Sequence, residues 1–73
     1  MDKIIQTKEY ARFIEKLRKA RLEAGLKQIE VAKKFKRQQS HISRIESGEC
    51  RLGILEVKRF SKIYGKSVDY FVK

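Results

Sequence analysis

Residues 39 to 51 read QSHISRIESGECR, a stretch dense in hydrogen-bonding side chains. Two kinds of chemistry offer themselves there. The Ser40 hydroxyl beside the His41 imidazole has the makings of a nucleophile and its base, and His41 with Cys50 has two types of metal ligand. Neither goes far. Neighbouring residues on a helix do not face each other, and no third group is spaced to orient the histidine. A zinc site needs about four ligands, and this pair supplies two. The sequence therefore predicts no enzyme, no metal and no cofactor. What is left is a polar surface. At about 100° per residue, Ile42 and Ile45 lie on one side of a helix, and Gln39, Ser40, Ser43, Arg44 and Ser47 occupy the opposite arc. Such an arc is either an ordinary solvated face or a face made for a polar partner.

Composition favours the partner. With 19 Lys and Arg against 9 Asp and Glu, the chain carries a net charge of +10, which suits a polyanion such as nucleic acid or an anionic membrane. The excess is spread through the chain and not gathered in a tail. The lone Cys50 allows no internal disulfide and fits a reducing compartment, so a cytoplasmic, nucleoid-associated protein is expected. Ile4 and Ile5 do not make a signal sequence, and no apolar run approaches a membrane span. Seventy-three residues without proline or low-complexity sequence read as a single domain over 1–73.

The elements that must position the polar arc follow from periodicity. Thr7 can cap a helix from about Lys8 to Ala24, with Tyr10, Phe13, Ile14, Leu17 and Ala24 on its apolar side and Gly25 ending it. A short second helix, Gln28 to Phe35, places Val31, Ala32 and Phe35 on one face. The third starts near Gln38 or Gln39 and ends at Ser47, before Gly48. The fourth, Gly53 to Tyr64, would bury Ile54, Val57, Phe60 and Tyr64 or Ile63. Ser67 caps a terminal turn with Val68, Tyr70 and Phe71. The last aromatics, with Val72, either seal the core or form part of a two-fold interface. Five short helices without a strand pattern make an all-α protein.

Gln28 to Ser47, QIEVAKKFKRQQSHISRIES, has helix-turn-helix spacing, with the second helix, about residues 38–47, offering its polar face to a major groove. Ala32 sits where the two helices cross, a place that a larger side chain would force apart. The segment resembles the phage-repressor and Cro-type regulators of the XRE family. The likeness includes Leu17, Arg18, Arg21, Gly25-Leu26, Gln28, Glu30, Val31 and Ala32. It continues through Gln39-Ser40, Ile42, Ser43, Ile45, Glu46 and Gly48 to GKSVDYF at 65–71.

The resemblance implies a compact five-helix, lambda-repressor-like fold and operator binding to double-stranded DNA, usually as a homodimer. Positions matching Gln39, Ser40 and Arg44 read base edges there, with Ser43 close by. Those matching Gln28, Ser47 and the loop around Arg51 hold phosphates, and Arg21 with Glu46 form a structural ion pair. Physical chemistry agrees: Gln can bond adenine and Arg guanine through two hydrogen bonds, each pair giving about 1–3 kcal/mol of discrimination. The dipole at the start of the second helix favours phosphate. Lys27, Lys36, Arg37, Gln38 and His41 are further candidates for backbone contact.

Two positions depart from the family pattern. Lys36 replaces the turn glycine, at a cost of roughly 1 kcal/mol if the left-handed conformation is kept. Lys27 replaces the usual cap of the second helix, forfeiting about 1 kcal/mol while adding a cation beside a phosphate. The rival reading is an antitoxin-like or bridging protein whose main partner is another protein. Met1 to Gln6 is the one segment available for such a partner. RNA is disfavoured, because no aromatic stacking platform is visible.

Overall fold

Thr7 opens the first helix: its hydroxyl accepts the Tyr10 N–H at 3.2 Å, supplying one of the acceptors a helix start lacks. The computed structural model describes residues 7–72, in which α1 (Lys8–Glu23), α2 (Gln28–Phe35), α3 (Gln39–Glu46), α4 (Ile54–Tyr64) and α5 (Val68–Val72) follow in order. There is no strand among the described residues. Ala24, Gln38, Ser47 and Gly53 act as caps and stand just outside helices that the sequence pattern had extended over or up to them. The candidate segment Met1 to Gln6 lies outside the described residues.

The first four helices end alike. A residue of positive φ follows each, Gly25 (73°), Lys36 (58°), Gly48 (82°) and Gly65 (68°). The next N–H then reaches back across the last turn, from Leu26 to Arg21, Arg37 to Ala32, Glu49 to Arg44 and Lys66 to Ser61, at 2.9–3.1 Å. These Schellman closures satisfy carbonyls that would otherwise be left without donors. Three use glycine; the turn between α2 and α3 keeps the same geometry with a lysine.

Leu17 and Ala20 of α1, Val31, Ala32 and Phe35 of α2, Ile42 and Ile45 of α3, Val57, Phe60 and Tyr64 of α4 and Phe71 of α5 form the core. Their spacing in each helix is what the three- and four-residue periodicity requires. Phe60 stacks between Phe35 and Tyr64, with ring centres 4.4 and 5.5 Å away. Of the other positions expected on the apolar faces, Tyr10, Phe13 and Ile14 are half-buried at the margin of the core, and two are exposed. Ala24 lies beyond the last turn of α1 and is exposed, and Ile54, first residue of α4, is 63% exposed, standing about 90° around the helix from the centre of the Val57, Phe60 and Tyr64 face. At the far end Phe71 is buried, whereas Val72 faces solvent.

Candidate nucleic-acid interface

α2 and α3 pack closely through Ala32, which is 2% exposed and whose carbonyl accepts the Arg37 N–H at 2.9 Å. The Lys36 backbone, at φ 58° and ψ 44°, turns the chain from one helix into the other. Lys27 contributes no side-chain cap to α2; its own N–H is instead bound by the Glu30 carboxylate at 2.7 Å, which recovers half of a capping box.

A polar relay ties the start of α3 to the core. Arg21 is the one charged residue classed as buried among the described residues, and it meets Glu46 through two bonds, Nε to Oε2 at 2.7 Å and Nη2 to Oε1 at 3.2 Å. Its Nη1 donates to the Leu26 carbonyl at 2.9 Å. The Gln28 amide then donates to Glu46 Oε1 at 3.0 Å, and Gln39 donates to Gln28 Oε1 at 3.2 Å. The direction of this chain is forced. An ionised carboxylate only accepts, so Gln28 must offer it an N–H, leaving the Gln28 oxygen for Gln39. Gln39 keeps one N–H and its oxygen for an outside partner.

Ser40, Ser43 and Arg44 are exposed beside Gln39, and their side chains make no hydrogen bond within the described residues. Together the four present donors and acceptors on one arc, opposite the buried Ile42 and Ile45. Lys27, Lys36, Arg37, Gln38 and Arg51 are exposed as well. Three other candidates are differently engaged. The Gln28 side chain is spent on the relay, which leaves its backbone N–H, in the first turn of α2, as the group free to meet a phosphate. The Ser47 hydroxyl donates to the Arg44 carbonyl at 3.0 Å. His41 turns Nε2 toward α4, where that atom is enclosed without a hydrogen bond, 4.0 Å from Glu56 Oε2, and so faces away from the polar arc.

Several supports escaped sequence reasoning. Arg59 of α4 lies over the Phe35 ring at 4.4 Å and donates to the Phe35 carbonyl at 3.4 Å, closing the end of α2. Glu56 binds the Gly53 N–H at 2.9 Å, as Glu30 does for Lys27. An acid at the third helical position is a readable capping signal, and both Glu30 and Glu56 carry it. Tyr64 lies near the ion pair with its hydroxyl buried and unbonded. Burial, aided by the Glu46 charge and opposed by Arg21, holds its phenol above the ordinary range.

Two short helices locked across a left-handed turn, the second bearing an exposed polar arc in a chain of net charge +10, define a helix-turn-helix DNA-binding regulator. A helix-turn-helix family model matches residues 17–71, and the chain belongs to the XRE family of Cro/repressor-type regulators. No match was found among curated proteins or solved structures. Among the described residues, no group of three or more His, Cys, Asp or Glu could hold a metal, and no helix is long and apolar enough to cross a membrane.

Proposed function

We propose that the protein is a cytoplasmic, sequence-specific repressor that occupies an inverted-repeat operator as a homodimer, with α3 in the major groove. The relay-tethered Gln39 beside the unpaired Ser40, Ser43 and Arg44 is the observation that carries this reading, since a merely solvated arc needs no anchor to the core. In the proposed complex Gln39 pairs with adenine through its remaining N–H and its oxygen, and Arg44 pairs with guanine. Ser40 and Ser43 complete the reading surface. Lys27, Lys36, Arg37, Gln38, Arg51 and the first N–H groups of α2 hold the phosphates on either side, with Ser47 joining them after its hydroxyl rotates. Two copies place their α3 helices about 34 Å apart, on successive major grooves. Bound there, the dimer represses by denying the site to other proteins.

Selection of duplexes from a random pool, with the winners re-measured at about 50 and 200 mM salt, tests the proposal. An inverted repeat with half-sites one helical turn apart is expected. Recovery of duplexes with no common sequence would overturn it.

A further inference from the structure

The outward face of α4 sets exposed apolar side chains among cations. Leu55, Lys58, Arg59 and Lys62 recur at three- and four-residue spacing on the side opposite Val57, Phe60 and Tyr64, so they form one stripe. With Ser61 and with Val68 of α5 they line an open groove of about 520 Å³. The groove surface is mostly apolar, and Leu55 is 70% exposed in it, the most exposed large hydrophobic side chain of the described residues. All three ionic groups are cations, and no carboxylate lines the groove. Arg59 is already committed to Phe35, but Lys58 and Lys62 have no partner within the described residues. They stand four residues apart on one helix face, an arrangement of like charges that disfavours the isolated helix. Val68 also packs against the core, whereas Leu55, Lys58 and Lys62 belong neither to the core nor to the residues packed on it.

We infer that this groove is a docking site for an amphipathic, acidic helix of another protein. Its leucine-type residues cover Leu55 and Val68, and its carboxylates pair with Lys58 and Lys62. The face is a helix stripe of the kind that receives a second helix. A second copy of the chain is a poor occupant, because two-fold pairing would set Lys58 and Lys62 against cations of the same face in a protein of net charge +10. DNA is a poor occupant as well. Phosphates gain nothing from an apolar floor, and Arg59 ties this face to the C-terminal end of α2, while Gln28 at the opposite end joins the polar arc.

The test uses the full chain, 15N-labelled, and a synthetic helical peptide of about 15 residues with Leu and Glu at three- and four-residue spacing. A second peptide has Ala at every Leu position, and a random-sequence DNA duplex serves as the third probe. Titration by the Leu/Glu peptide is expected to shift amide signals of Leu55, Lys58, Ser61, Lys62 and Val68 and to leave Gln39 to Arg44 unmoved. Leu55→Ser and the double variant Lys58→Gln/Lys62→Gln should each weaken that peptide at least about tenfold. Their affinity for the duplex should stay within about twofold of the parent. Equal binding of the Ala/Glu peptide would reduce the effect to attraction between opposite charges and overturn the inference. So would shifts confined to α3, or no binding of the Leu/Glu peptide. Loss of duplex affinity in the lysine double variant, matching that of Lys27→Ala, would make the face a DNA contact and also refute it. None of these results touches the proposal for α3, which the duplex selection tests by itself.

Discussion

Glu46 has two duties, and a double-mutant cycle separates them. Its side chain is 5% exposed and that of Arg21 10%, so the pair is desolvated enough that removing one partner strands a charge in a poorly hydrated place. Stranding of that kind costs about 3–5 kcal/mol for a buried pair. Arg21→Met should fall within it, because Glu46 would keep just the Gln28 amide. Glu46→Gln keeps the shape and leaves Arg21 its bond to the Leu26 carbonyl, so about 2–3 kcal/mol is expected. The double variant should be less destabilised than the sum of the two by about 2 kcal/mol, since neither charge is then left alone. A chain of this length has roughly 4–11 kcal/mol of stability in total, so urea unfolding followed by circular dichroism should be run in a fixed concentration of sucrose to keep every variant folded at the start. Costs that add to within about 0.5 kcal/mol would refute the coupling. The cycle has a second reading at the DNA. A glutamine at 46 can offer N–H as well as oxygen, so Gln28 is no longer held in one orientation and Gln39 loses its fixed partner. If Gln39 reads a base pair as proposed, Glu46→Gln should lower discrimination there, although Glu46 itself is nearly buried.

Three further predictions are simpler. Lys36→Gly should raise stability by up to about 1 kcal/mol, less what is lost to the looser unfolded chain, because φ 58° suits glycine; no gain in thermal unfolding would mean that the lysine sits there without strain. Tyr64→Phe should be neutral or stabilising by up to about 1 kcal/mol, since it removes a buried hydroxyl without a partner. The raised Tyr64 phenol contributes stability that is full below pH about 10 and falls as pH rises beyond it, and Tyr64→Phe should blunt that alkaline fall in pH-dependent melting; an unchanged profile would contradict it. Arg44→Ala should lose about 1–3 kcal/mol of discrimination at one base pair, whereas Lys27→Ala should weaken all duplexes alike and cut the salt slope by about one; identical behaviour of the two would refute the division of labour.

How far the sequence speaks depends on the range of the interaction. Helix ends were legible because each is a local event: Thr7 supplies an acceptor, and Gly25, Gly48 and Gly65 take the left-handed conformation that stops a helix. The core faces of α2 and α3 were legible too, since Val31, Phe35, Ile42 and Ile45 have no other side on which to be buried. Ile54 was misread because its three-residue spacing to Val57 suggested a shared face, whereas the face centred on Val57, Phe60 and Tyr64 leaves it about 90° to one side. The relay was beyond reach for a different reason. Gln28, Gln39 and Glu46 belong to separate turns, and their bonds exist only at the crossing distance and angle that Ala32 allows. His41 reads as a candidate for phosphate contact, and nothing local announces that its Nε2 turns to Glu56 on α4.

The tether on Gln39 and the freedom of its neighbours divide the proposed reading surface into a part bound to the fold and a replaceable part. Exchanging Ser40, Ser43 or Arg44 breaks no internal bond, so new side chains there leave the fold nearly as stable as before. Exchanging Gln39 leaves the Gln28 oxygen without its donor, a disturbance that lies two bonds from the buried ion pair. A lineage of such proteins could therefore acquire new target sites by drifting at three positions while the fourth holds the register.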